Sequence, residues 1–413
     1  MSLTLALIAN FCLRLGGAAA GLMLTLFLGF INRELYPVSA TSLGLLAGAY
    51  SLVEMVCAPV LGAQSDRLGR RVFLLGGPAV GLLAVQLTGL TTVFQIIFCA
   101  RLIEGVAGAA TTPALLSLLS AHTDHDAALR GRIMSYFEAG TALGLTLGSV
   151  LGSLLWDGLG RWGFAAAGGL YLASIALFMR ATANRPLVAE ATLPVEHRPR
   201  SLAASLQTVL TYRPLLGFVP AWLAINAVVG LWLTHAIFQM TGGRELAGQF
   251  LVGAFSSRTI AAVLFGYALA FGCGLAVWSY LFKFFGPIAV MRVASLGMLG
   301  ATSALVAVNH SGGAGVLLWG SLALFVLCVM VESGFAPAAV TYLADLSASL
   351  RADRGLFMGL YSVALGLGQL LGGWLGGPVA DAWGLDGILA LTLLLVVASV
   401  ALAFRLKYLN TET

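Results

Sequence analysis

Charge is what this sequence has least of. Of 413 residues only 9% are Asp, Glu, Lys or Arg, while 59% are hydrophobic, against about 45 to 50% apolar content in soluble globular domains. A soluble fold is excluded, and with a strongly positive mean hydropathy the chain reads as a polytopic membrane protein. Short alternating segments are missing too, which excludes a transmembrane β-barrel. No Gly-x-x-x-x-Gly-Lys-Ser/Thr run is present, so no nucleotide-hydrolysing motor is recognisable. The five cysteines (Cys12, Cys57, Cys99, Cys273, Cys328) sit singly inside apolar runs, which argues against a disulfide framework or a zinc site. Nor does a nucleophile and base pair or a metal set stand out. The chain is expected to be no enzyme and to hold no cofactor or metal. The first thirty residues lack a basic start and a small-residue cleavage site, and their apolar run continues past Arg14 to Ile31. They are expected to be a retained first helix.

Apolar runs of about 20 residues, the length needed to cross a bilayer, follow one another almost end to end. Cutting at charged or Gly/Pro-rich breaks gives twelve spans near residues 5–31, 40–61, 72–91, 93–120, 132–156, 163–180, 214–240, 258–282, 288–308, 314–344, 355–378 and 386–406. One long polar stretch separates the sixth from the seventh. The predicted organisation is two six-helix bundles, 1–180 and 214–413, joined by a cytoplasmic linker, 181–213.

The basic residues set the expected orientation. With the N-terminus cytoplasmic, that side collects seventeen: Arg14, Arg67, Arg70, Arg71, Arg130, Arg132, Arg180, Arg185, Arg198, Arg200, Arg213, Lys283, Arg292, Arg351, Arg354, Arg405 and Lys407. The other side keeps Arg33, Arg161, Arg244 and, at a span edge, Arg258. This is a positive-inside pattern with both termini cytoplasmic. The net charge of +5 therefore records orientation and calls for no nucleic-acid partner.

An internal repeat supports the two halves. A gapless shift of 224 residues places 113–160 on 337–384 with 15 identities in 48 positions, among them Pro113 with Pro337, Arg130-Gly131 with Arg354-Gly355 and Met134 with Met358. Parallel repeats of this kind are a transporter architecture, with the substrate site at the repeat interface.

Between the second and third spans the sequence reads "GAQSDRLGRR", four charges in ten positions. Together with twelve spans and a central linker, this loop resembles the major facilitator superfamily. The family's Gly-x-x-x-Asp-Arg-x-Gly-Arg-Arg/Lys signature is filled at Gly62, Asp66, Arg67, Gly69, Arg70 and Arg71. The fourth span, "RLIEGVAGAATTP", is similar to the family's Arg-x-x-x-Gly helix at Arg101 and Gly105. In the fifth, "GLTLGS" keeps Gly144 and Gly148 of the antiporter signature but has Leu145 and Ser149 where a proline and a glycine stand. The first spans look most like the proton-coupled drug-efflux branch.

The resemblance implies a secondary active transporter in the plasma (inner) membrane, expected to be monomeric. It would move a small, amphipathic solute by alternating access, with protons as coupling partner. An importer, and a non-transport or lipid-handling protein on the same fold, are the alternatives. The resemblance also implies a role for the loop. Gly62 would let the end of the second span approach the eleventh, and Asp66 would face the positive end of that helix at Arg354-Gly355, forming a gate.

Five ionisable residues stand out clearly inside spans: Glu54, Arg101, Glu104, Glu138 and Glu332. Each costs about 2.5 to 3.5 kcal/mol on insertion scales, which makes them functional candidates. Arg101 and Glu104 share one helix face, as a self-neutralising pair or with the Arg on an anionic substrate group. Glu54 and Glu332 have no basic neighbour within a turn and are candidate proton-coupling residues, or carboxylates held by local hydrogen bonds. Glu138 is a gate residue or snorkels to the surface. Asn226, His235 and Gln239 are candidate cavity polar groups. Gly144, Gly148 and Gly152 in the fifth span, and Gly368, Gly372 and Gly376 in the eleventh, recur every four residues and are expected to pack helices closely.

Overall fold

A computed structural model describes residues 2–36, 40–183, 207, 211–236, 239–240, 248–252, 255, 257–313, 315–348 and 353–406. Most of the predicted linker falls outside these, as do Arg185, Arg198, Arg200, Arg244, Arg351 and Lys407. Among the described residues the structure is helical and has no strand. In chain order the helices are α1 (Leu3–Glu34), α2 (Ala40–Leu68), α3 (Arg70–Leu90), α4 (Phe94–His122), α5 (Ala127–Leu159), α6 (Gly163–Ala181), α7 (Arg213–Leu231), α8 (Ser257–Leu281), α9 (Pro287–Asn309), α10 (Gly315–Glu332), α11 (Phe335–Ala348) and α12 (Arg354–Arg405).

Nine stretches among the described residues are long and apolar enough to cross a membrane. Two of them, 127–181 and 354–405, run to 55 and 52 residues, enough for two crossings each. α12 is turned at Gly384, whose φ of 59° is open to glycine without strain. The predicted eleventh and twelfth spans thus lie on either side of one glycine. Side chains such as Leu83, Trp319 and Trp374 stand 68%, 70% and 78% exposed along these helices, a surface suited to lipid.

The chain divides into two compact units. The first comprises Met1–Asp124, Tyr136–Thr208 and Ser347–Val363, the second His125–Ser135, Val209–Leu346 and Ala364–Thr413. In the first, Met23, Phe27 and Ile31 of α1 pack with Val85, Ile97 and Phe164, and the Phe27 and Phe164 rings meet edge-on at 5.9 Å. The glycine stripe of α5 lies along α1: a Cβ at Gly144 would stand 2.7 Å from Arg14 Cβ, and one at Gly152 2.5 Å from the Ala19 carbonyl. Only the missing side chains allow that approach.

The second unit has its own core of Leu231, Val308, Leu385, Ile388 and Leu389. There the stripe Gly368, Gly372, Gly376 lies along Asn226, Ala227, Leu231 and His235. Arg292 caps the end of α12, donating to the carbonyls of Ala403 at 3.1 Å and Leu406 at 2.7 Å.

Candidate functional site

Four of the five ionisable residues predicted inside spans come together in the first unit. On α4, Arg101 and Glu104 form an ion pair one turn apart, with side chains 14% and 6% exposed. The Arg101 guanidinium also lies over the Tyr50 ring, 5.1 Å from its centroid. Close approach of α2 and α4 makes this possible, since a Cβ at Gly105 would stand 2.6 Å from the Tyr50 carbonyl. The pair is thus neutralised locally.

Glu54 lies one turn beyond Tyr50 on α2. The Tyr50 hydroxyl donates to its carboxylate, and Ser362 Oγ donates to Oε1 at 3.2 Å. Glu138 of α5 accepts from the Tyr361 hydroxyl. Its Oε1 is buried and has no hydrogen-bond partner among the described residues. The carboxylate therefore points inward, which removes the snorkelling reading.

Arg14 completes the cluster, and here the sequence reading needs correction. Counted above among cytoplasmic basic residues, Arg14 lies well inside α1. Its Nη2 donates to Thr112 Oγ1 at 2.9 Å, and its charge faces Tyr50, Glu54, Tyr361 and Glu138. Beside it, Asn10 donates to Thr141 at 3.1 Å. Once Arg101 and Glu104 cancel, two carboxylates, Glu54 and Glu138, face one guanidinium.

A second polar constellation of the first unit involves the signature loop. Gly69 separates α2 from α3 with φ 95°, a left-handed conformation that favours glycine. Asp66 Oδ2 accepts from the Gly355 N–H at the start of α12, while Oδ1 accepts from Ser117 at 3.3 Å and Arg70 at 3.4 Å. A Cβ at Gly62 would collide with the Gly355 backbone. Arg354 is held by both oxygens of Asp124, at 3.0 and 2.8 Å. Asp124 belongs to the loop between α4 and α5. Burial pushes the Asp66 carboxyl up to about 6, outweighing Arg70, the Gly355 N–H and Ser117, which pull it down. Arg71 and Arg67 flank this contact in sequence.

In the second unit Glu332 ends α10, 7% exposed, and accepts from the Tyr267 hydroxyl at 3.1 Å. No basic side chain is paired with it in that bond. Asn226 donates to the Trp222 carbonyl of its own helix at 3.0 Å and packs against Gly368. His235 sits on a π-helical turn, Trp232–Ala236, with Nε2 2.7 Å from the Gly373 carbonyl. Gln239 reaches the Ala380 carbonyl at 3.5 Å. These three serve backbone groups within the unit. Arg130 pairs with Asp345, and since Arg130 is the repeat mate of Arg354, the first turns of both repeats are anchored by an arginine.

Comparison with known proteins places these features in a family. The profile of the Major Facilitator Superfamily matches residues 6–256. The chain is 28% identical over 263 residues to the class C tetracycline resistance protein of Escherichia coli, covering 59% of this chain and 65% of that one, just under two thirds of its length. It is 28% identical over 352 residues to the class G tetracycline resistance protein of Vibrio anguillarum, covering 77% and 85%. The crystal structure of the human organic anion transporter MFSD10 (TETRAN) is similar in fold, with a TM-score of 0.70 over 98% of each chain at 18% identity.

Proposed function

The chain belongs to the major facilitator superfamily and is an integral, multi-pass membrane transporter with efflux-type relatives; from that premise we propose that it exports a small amphipathic solute in exchange for protons. It works by alternating access between two six-helix bundles, 1–180 and 214–413, in the plasma (inner) membrane, with both termini cytoplasmic, as a monomer. The observation that carries proton coupling is the unequal count of Glu54 and Glu138 against Arg14. An uncompensated carboxylate away from water is costly, and a proton removes the imbalance. Relatives named for tetracycline resistance support a solute of the antibiotic kind.

Purified protein in liposomes tests this reading. Inward proton gradients are expected to accelerate the movement of amphipathic drugs at least several-fold over sugars and simple carboxylates. Transport indifferent to the gradient would refute it. Import together with protons is the second reading, prompted by Leu145 and Ser149 where the antiporter signature has a proline and a glycine, and the same assay, read for solute accumulation, decides between the two.

The Asp66 contact is the gate of this cycle. A carboxyl whose folded value, about 6, lies above its ordinary 3.8 contributes stability that is present below 3.8 and is lost as the pH rises through about 6. Burial of the charge in the closed contact outweighs the stronger bond that an ionised Asp66 makes to the Gly355 N–H, so ionisation at neutral pH favours opening of the latch. Asp66→Asn keeps an acceptor for Gly355 and cannot ionise. Turnover in this variant is expected to be several-fold slower and flat between pH 5 and 7, with solute affinity unchanged. Wild-type turnover should rise over the same interval on the cytoplasmic side, and identical pH profiles would count against the gate.

A further inference from the structure

The first turns of α12 are held at four points within the first unit. Asp124 takes Arg354 and Asp66 takes Gly355 at the helix end. Deeper along the helix, Glu138 takes Tyr361 and Glu54 takes Ser362. The two carboxylates that outnumber Arg14 therefore grip adjacent residues of the very segment that carries the latch.

Their environments differ. Glu54 accepts from both Tyr50 and Ser362, so its ionised form is satisfied by two donors and Arg14. Glu138 accepts from Tyr361 alone among the described residues, and its Oε1 is left buried without a donor. Hydrogen bonds to a carboxylate stabilise its charged form, and Glu138 has one donor fewer than Glu54. The charged and titratable groups around the pair are Arg14 from α1, Tyr50 from α2, the Arg101–Glu104 pair of α4 acting through Tyr50, and Tyr361 from α12. Tyr171 of α6 faces Glu104 and Tyr50.

We infer that Glu138 is the carboxylate that takes up the transported proton, and that Tyr361 is the positioning residue tying its charge state to the first turns of α12. Ionised Glu138 holds the Tyr361 hydroxyl. When Glu138 is protonated, the charge-assisted bond becomes a neutral one and the grip on α12 weakens next to the latch. The Tyr361 ring keeps its place by meeting Phe137 edge-on at 5.9 Å, so the hydroxyl alone carries the signal. The inference rests on the proton-coupled reading above and assigns the step within it.

Amide hydrogen exchange of the peptide 353–363 in the full-length protein tests it. The measurement is made in the Asp66→Asn background, so that Asp66 does not titrate. After correction for intrinsic rates, protection is expected to fall about tenfold between pH 8 and pH 5, since a bond to a charged carboxylate is stronger than one to a neutral carboxyl. Adding Tyr361→Phe or Glu138→Gln should abolish this step, leaving low protection at both pH values. Adding Ser362→Ala should keep it. A step that survives Tyr361→Phe, or that is lost with Ser362→Ala alone, would overturn the inference in favour of a route through Glu54. A flat profile in the parent protein would overturn it as well. Gradient-driven transport by the wild type, measured in parallel, separates the two levels: if transport persists, the proton-coupled reading stands whatever the exchange experiment shows.

Discussion

Glu54→Gln is expected to reduce pH-gradient-driven transport to the rate found without a gradient, a fall of at least about tenfold, while solute exchange at equal pH continues. The reason is a count of charges. In the wild type Glu54 and Glu138 share the field of Arg14, and one negative charge is left over for a proton to cancel. The glutamine can still take hydrogen bonds from Tyr50 and Ser362 through its carbonyl oxygen, so packing is preserved. With it in place Glu138 and Arg14 are equal and opposite, and nothing in the cluster requires a proton. Each tenfold in rate corresponds to about 1.4 kcal/mol, less than the several kcal/mol that one uncompensated buried ion costs. Transport assays in liposomes, run with and without the gradient, read the effect directly. A variant that still responds to the gradient would show that the excess charge is not the coupling element.

How far the sequence could be read is clear from these same residues. The signature loop was legible because its residue types are rare in so apolar a chain. Gly69 shows why its glycines are needed: a left-handed backbone joins α2 to α3 there. The pair Arg101 and Glu104 was legible because three residues along a helix is a fixed geometry. So were the glycine stripes, whose partners α1 and α7 only the structure names.

Arg14 was misplaced because a basic residue near a chain's start satisfies the orientation rule as well as a functional role does. Although it lies within the first apolar run, only its bond to Thr112 and its place facing Glu54 and Glu138 show what it serves. Tyr361 and Ser362 carry no charge, and Ser362 meets its carboxylate across 308 residues of sequence. Neither composition nor local periodicity can signal such a contact. Asp124 was hidden for a different reason: its partner Arg354 comes from the other repeat.

Glu332 shows the reverse. Its isolation in sequence made it the equal of Glu54 as a coupling candidate, and its bond to Tyr267 keeps it isolated in the second unit. A lone carboxylate with one donor can bind a proton, yet in that bond it has no guanidinium against which its charge can be counted. The proposed cycle therefore runs through the first unit, where the imbalance lies beside the latch.

The largest effect on stability is expected at Arg101. Arg101→Ala strips Glu104, whose side chain is 6% exposed, of its only ion-pair partner among the described residues. Breaking a buried pair from one side costs about 3 to 5 kcal/mol, because the remaining charge is left in a poor dielectric. The cation–π contact with Tyr50 is lost as well, worth about 0.5 to 2 kcal/mol. The double variant Arg101→Ala/Glu104→Gln removes the orphaned charge and should recover most of the loss, with only the aromatic contact and the packing of the guanidinium missing. Unfolding free energies in mixed micelles for the wild type, both single variants and the double variant give the interaction directly. If the double variant is as unstable as Arg101→Ala alone, then Arg101 is required for something other than neutralising Glu104. Its place against Tyr50 and the Glu54 cluster would then be its reason for lying in the membrane.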